Sequence, residues 1–287
     1  MPTADIGGVS LFYEESGNGD PVVFVHGIPT DYRAWRAQKE PVAAGRRMIS
    51  VSRRYACPNV REGDLSDSTV HNNAVDLKGF IEAVGGGKVD LVGHSYGGFV
   101  AAFLAADHPD LVRSLVLVEP AISTFLVADQ SSAGEALALL LRSPAVALSG
   151  RRFQTRSLAP SMKALEEGDL ERAVELNVDG VQDMKGAFRE LPEDTRRMML
   201  DNARTVAELK TRFPKFTEKE AGLISCPTLV LNGQESALYL RRIGELTAKA
   251  VPKAKRAMVP GSRHFPHMEN PAFFNERLLE FLGEVGK

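Results

Sequence analysis

Apolar residues in this chain fall into short unbroken runs separated by longer stretches with a helical rhythm. The runs are Val22-Val23-Phe24-Val25, Met48-Ile49-Ser50-Val51-Ser52, Val89-Asp90-Leu91-Val92, Leu115-Val116-Leu117-Val118 and Thr228-Leu229-Val230-Leu231. Continuous β-branched runs of this length fit strands covered on both faces. Val9-Ser10-Leu11-Phe12-Tyr13-Glu14 alternates instead, as a strand with one wet face does, and Gly17-Asn18-Gly19-Asp20 turns the chain after it. Ala257-Met258-Val259 reads as a last strand. Helical stretches lie around Asn72–Val84 and over the Ala-rich Gly98–Ala106. Strands alternating with helices predict an α/β fold with a doubly wound, mostly parallel sheet.

That alternation stops after Leu115–Val118. Residues 120–227 show no clear strand, although a plain crossover needs only about a dozen residues. Helix formers dominate at Glu135–Leu141, Asp169–Leu176 and Arg196–Leu209, with breaks at Ser143-Pro144 and Leu191-Pro192. The expected organisation is a core made of residues 1–121 and 216–287 with a helical cap, 122–215, inserted into it. Phe125, Phe153, Met184, Phe188, Met198, Met199, Phe213 and Phe216 give the insertion apolar faces. Most of these are expected in its internal packing, and a minority along a substrate cavity.

Composition narrows the function classes. The 287 residues are 44% hydrophobic and 25% charged, an ordinary soluble balance. Thirty-five basic against 37 acidic residues leave a formal charge of −2, so no overall field draws the chain to nucleic acid or anionic lipid. The arginine pairs 46–47, 53–54, 151–152, 196–197 and 241–242 are expected on solvated faces. The N-terminus lacks a basic segment followed by an apolar core, and no run is long enough to span a membrane. Cys57 and Cys226 have neither metal-ligand nor disulfide-framework spacing. The expectation is a cytoplasmic protein with no metal, no cofactor, no nucleic-acid or membrane partner, and a small-molecule substrate.

Three short motifs carry the candidate chemistry. His26-Gly27-Ile28-Pro29 follows the first buried strand, Gly93-His94-Ser95-Tyr96-Gly97 links a strand to a helix, and Gly261-Ser262-Arg263-His264-Phe265-Pro266 follows the last strand. Strand, Gly-x-Ser-x-Gly and helix describe a sharp turn that presents a serine hydroxyl above a sheet. Gly93 and Gly97 fit it because strand and helix approach too closely there for side chains. With the three motifs in this order, the chain resembles the α/β-hydrolase fold family from about Gly8 to its C-terminus.

The resemblance implies Ser95 as nucleophile and His264 as its base, with His267 as a rival three residues on. It also implies an oxyanion hole built from the backbone N–H groups of Ile28 and Tyr96. His26 is expected to brace the loop that starts at Gly27. His94 is expected to pack or hydrogen-bond away from the serine's face, and His71 and His108 to lie at the surface or at helix ends.

The third member departs from the commonest family pattern. An aspartate in a Gly-x-x-Asp loop usually follows the strand equivalent to Thr228–Leu231, but here Gly233-Gln234-Glu235-Ser236 puts a serine at that place. Two carboxylates can replace it. Glu119 ends the strand next to the elbow strand, where some members of this fold carry their acid. Glu235 lies one position short of the usual aspartate. Glu119 is favoured and Glu235 is the alternative, with a carboxylate expected about 2.6–3.2 Å from the His264 ring. Asp90 begins its strand, at the wrong end of the sheet.

A serine at the elbow forms an acyl-enzyme, whereas related dehalogenases and epoxide hydrolases carry aspartate there. The expected substrate is therefore a carboxylic ester or lactone, small and mainly apolar. Hydrolysis of a carbon–carbon bond in a diketone by the same three residues is the alternative within the fold. A slow-turnover ligand receptor is the alternative from another class, and turnover of a p-nitrophenyl ester separates it from an enzyme.

Overall fold

One sheet of eight strands organises the computed structural model, which describes residues 2–59, 65–129, 131–211 and 213–285. The strands are β1 (Thr3–Ile6), β2 (Val9–Ser16), β3 (Pro21–Val25), β4 (Arg47–Val51), β5 (Val89–His94), β6 (Val112–Val118), β7 (Thr228–Gly233) and β8 (Ala254–Val259). Their order is β1-β2-β4-β3-β5-β6-β7-β8. β1 and β2 pair antiparallel with each other, β2 pairs antiparallel with β4, and β4 through β8 run parallel. The doubly wound α/β sheet expected from the apolar runs is observed.

The runs that looked covered on both faces are covered. β5 and β7 are buried along their whole length. β8 alternates weakly and exposes Lys255 and Arg256, which suits a sheet edge because charge there discourages strand addition. β1 is too short for its alternation to register in the sequence. β6 starts at Val112, earlier than its apolar run, because Arg113 and Ser114 pair with a buried carboxylate rather than with water. Asp90 Oδ2 accepts from Arg113 Nη2 at 2.7 Å and Asp90 Oδ1 accepts from Ser114 Oγ at 2.7 Å.

Chain order fixes where the site can be. From β3 the chain moves outward to β4 and then returns to β5 on the other side of β3. This reversal opens a crevice beyond the carboxyl ends of β3 and β5, the usual ligand position in open α/β sheets. Val25 and Gly93 are register partners there, so the His26-Gly27-Ile28 loop and the serine turn emerge side by side.

Between β6 and β7 lie the helices Ala133–Arg142, Pro144–Phe153, Ala159–Glu166, Leu170–Val181, Ala187–Glu190 and Glu193–Asp201. Pro144 starts its helix, as the missing proline N–H and fixed φ favour, and Pro192 is the N-cap of the helix Glu193–Asp201. Helices Pro144–Phe153 and Ala159–Glu166 were not legible as separate elements. The segment packs on loops that follow the parallel strands. Cys57 N donates to Asn202 Oδ1 at 2.7 Å, Arg33 Nη2 meets Asp201 at 2.9 Å, and His264 N donates to Gln182 Oε1 at 2.8 Å.

Two arginine pairs depart from the solvated faces expected of them. Arg53 and Arg54 are buried, and the Arg54 guanidinium grips Asp76 with two bonds of 2.6 and 2.7 Å. Arg46 is mostly covered and reaches Asp90 at 3.2 Å. A long cationic side chain can bury its stem and head once a carboxylate compensates the charge, and pairing of that kind leaves no mark in local sequence.

Candidate active site

The helix Ser95–Asp107 begins at the residue immediately after β5, with no loop between them. A Cβ on Gly97 would lie 2.3 Å from the His26 carbonyl oxygen, and one on Gly93 2.6 Å from the Gly97 carbonyl oxygen. Only glycine permits this approach, and it forces Ser95 into left-handed backbone, φ 52°. Glu119, at the end of β6, has φ 49°. Non-glycine residues held there are strained by on the order of 1–3 kcal/mol, and such strain gathers at functional positions.

His264, in the loop after β8, brings the two together. Its Nε2 lies 3.0 Å from Ser95 Oγ and its Nδ1 lies 3.4 Å from Glu119 Oε2. All three residues are buried, Glu119 fully. The Glu119 contact is longer than the 2.6–3.2 Å expected, and the other carboxylate oxygen shows why. Glu119 Oε1 accepts from Gly233 N at 2.7 Å, Ser236 Oγ at 2.8 Å and Asn232 Nδ2 at 3.0 Å. These donors draw the carboxylate toward β7 and compensate a charge that burial would otherwise penalise. Ser236, at the usual aspartate position, therefore donates to the carboxylate that faces the histidine.

The alternatives fall elsewhere. Glu235 is half-exposed and pairs with Arg263 at 3.1 Å, so its carboxylate does not serve the ring. The His267 ring is buried against Trp35, with centroids 4.4 Å apart, and its nitrogens have no hydrogen-bond partner among the described residues. Burial, and secondarily the neighbouring His264, lower its pKa to about 3. His94 reaches back under the site, its Nε2 2.8 Å from the His264 carbonyl oxygen, and burial holds it well below the usual histidine range. Asp90 lies at the opposite end of β5, as expected.

The His26–Ile28 loop presses against the serine, since a Cβ on Gly27 would lie 2.9 Å from Ser95 Cβ. Tyr96 sits in the first helical turn, where N–H groups lack intrahelical acceptors, and no side chain caps that end. His26 does brace the loop: its Nδ1 lies 2.8 Å from Gly27 O, while Nε2 accepts from Arg53 N at 3.0 Å.

Arg53, expected on a solvated face, is instead buried against Tyr96. Its Nε donates to His26 O at 3.1 Å, its guanidinium lies 4.8 Å over the Tyr96 ring, and Nη1 meets Glu208 at 2.8 Å. Glu208 belongs to the helical segment, is fully buried, and also accepts from Ser68 Oγ at 2.8 Å. The pair thus ties that segment to the loop beside Ser95. A 155-residue separation hides it from any local pattern.

The sequence pattern of the family described as alpha/beta hydrolase fold matches residues 20–271. The chain is 24% identical, over 99% of both chains, to an Azorhizobium caulinodans protein provisionally named a carbamate hydrolase. It is 27% identical to the 2-(acetamidomethylene)succinate hydrolase of Mesorhizobium japonicum, over 97% of this chain and 93% of that one. Among solved structures, a thermophilic esterase from Thermogutta terrifontis superposes with a TM-score of 0.70 and 28% identity, covering 99% of this chain and 97% of that one.

Two outcomes follow from the buried charges and rings. Glu208→Ala strands the Arg53 guanidinium in a buried site and is expected to destabilise the fold by about 3–5 kcal/mol, with Glu208→Gln milder. Urea unfolding measures it, and an unchanged midpoint for Glu208→Ala would contradict the assigned role. His26, His94 and His267 all have lowered pKa values, from burial first. Below about pH 6.5 the unfolded chain therefore binds more protons than the folded one, and stability falls as pH falls. His267→Phe, which keeps the stack on Trp35, should flatten that loss by about 1.4 kcal/mol per pH unit between about pH 4 and 6. An unchanged slope would mean that the ring is protonated in the folded protein.

Proposed function

The chain belongs to the α/β-hydrolase fold family and is a hydrolase, and from that premise we propose that it cleaves a carboxylic ester or lactone of a small, mainly apolar substrate through an acyl-enzyme on Ser95. The observation that carries this reading is the contact of 3.0 Å between Ser95 Oγ and His264 Nε2, continued by Glu119 on the far side of the ring.

In the assigned tautomer, Nδ1–H faces Glu119 and the Nε2 lone pair faces the serine. Nε2 takes the hydroxyl proton as Oγ attacks the substrate carbonyl. The resulting oxyanion accepts from the N–H groups of Ile28 and Tyr96, which are held in place before the reaction starts. His264 then returns the proton to the leaving oxygen as the carbon–oxygen bond breaks. Water, deprotonated by the same nitrogen, attacks the acyl carbon, and the proton passes to Ser95 Oγ as the acyl–Oγ bond breaks and the acid is released. Glu119 stays ionised throughout and stabilises the imidazolium, a role that its three donors to Oε1 support. The helical segment 122–215 acts as a cap that limits the substrate. The acid at the end of β6, rather than in the loop after β7, counts against the diketone reading.

Purified protein is expected to turn over p-nitrophenyl acetate or butyrate. Ser95→Ala should abolish turnover without loss of fold, His264→Ala should be as damaging, and the double variant no worse than either alone. Saturable ligand binding with no ester turnover would favour the receptor reading instead. Glu119→Gln should lower kcat by ~10²–10⁴ with near-normal KM, while Glu235→Gln stays within about threefold. Ser236→Ala removes one donor to Glu119 and should lower kcat by roughly tenfold or less. A Glu235→Gln loss as large as that of Glu119→Gln would overturn the acid assignment.

A further inference from the structure

Half of the large hydrophobic side chains exposed among the described residues lie in one short stretch. Leu137 is 56% exposed, Leu140 42%, Leu141 76% and Leu148 55%, whereas the other four of the eight are scattered. Isolated exposed leucines are ordinary, but four between positions 137 and 148 are not. The first three sit on the helix Ala133–Arg142, which buries no residue at all and borders a cleft of about 620 Å3. Leu148 lies on the adjoining helix Pro144–Phe153.

Charge on this hairpin is mostly positive, with Glu135 its one acid against Arg142, Arg151 and Arg152. Between Glu135 and Glu166 the sequence contains Arg142, Arg151, Arg152, Arg156 and Lys163 and no aspartate or glutamate. Arg151 and Arg152 follow Leu148 at helical spacings of three and four, so they flank it on one face. Arg152 meets Asp183 at 3.5 Å, whereas Arg142, Arg151 and Arg156 form no ion pair with a described residue. A formal charge of −2 over the whole chain conceals this local excess.

We propose that the exposed leucines Leu137, Leu140, Leu141 and Leu148, with Arg151 beside Leu148 and Arg142 at the end of the helix that carries the first three, dock this protein peripherally on an anionic lipid surface. Exposed leucines beside unpaired arginines have the composition of helices that lie in the lipid interface, the leucines entering the acyl boundary and the arginines meeting headgroup phosphates. A second copy is the poorer occupant. A two-fold contact through these helices would set arginines against arginines, and their one acid, Glu135, lines the cleft instead. The docking is peripheral, since no helix among the described residues is long and apolar enough to cross a membrane.

The test is flotation of the full chain with vesicles of pure phosphatidylcholine and with vesicles containing about one-third phosphatidylglycerol. Binding is expected to the anionic vesicles alone and should weaken in half-molar salt. Arg142→Gln with Arg151→Gln should reduce it by roughly tenfold or more. Leu141→Ser with Leu148→Ser should abolish it, with thermal unfolding unchanged because these side chains are already wet. No binding to either vesicle, or equal binding to both, overturns the proposal. So does a concentration-dependent dimer in sedimentation velocity that Leu141→Ser disperses, which would make a second copy the occupant. None of these readouts requires ester turnover, so the result stands apart from the proposed reaction.

Discussion

The constraint on which the site depends is the approach of the helix Ser95–Asp107 to the end of β3. With room for no more than a hydrogen at Gly97, the helix cannot retreat or rotate, and the His26 carbonyl fixes its distance. Ser95 is left in strained backbone at the one point where the sheet order reverses. The neighbouring N–H of Tyr96 is carried with it, and the Gly27 loop is pressed against the serine. Loops after β6 and β8 then need only reach a fixed point, because the parallel register delivers Glu119 and His264 to the same side of the sheet.

Around that point, polar burial does the aligning that hydrophobic packing cannot. A fully buried carboxylate has to be compensated, and Glu119 is, by one backbone and two side-chain donors on β7 and the turn beyond it. Arg53 is compensated in a different way, by a carboxylate from the helical segment. Both are directional, so each fixes an orientation as well as a distance. Behind the site, His94 and His267 add bulk and aromatic contact, and burial disfavours charge on both.

Much of this was legible in the sequence, and the reasons differ. The central strands could be read because burial on both faces demands unbroken apolar runs. Ser95 could be read because its strained turn needs glycines at fixed offsets, and Glu119 because Ser236 stood at the place where the family pattern asks for an acid. What escaped notice is non-local. Arg53 and Arg54 look like surface residues until Glu208 and Asp76, 155 and 22 residues away, neutralise them. The hairpin's leucines pass for a helical core stripe, since periodicity reports that a face is apolar and not what covers it.

The hydrogen bond from Ser236 to Glu119 ties the identities of two positions that lie 117 residues apart. Aspartate at 236 with glutamate kept at 119 would crowd two carboxylates onto one imidazole, and one of them would have to be protonated. Losing the glutamate first leaves the ring with no counter-charge. Either single exchange doubles or removes the charge facing the ring, so the two positions would have to change together. Position 236 is therefore epistatic to position 119. Neither position can change its charge without disturbing what the other presents to the ring.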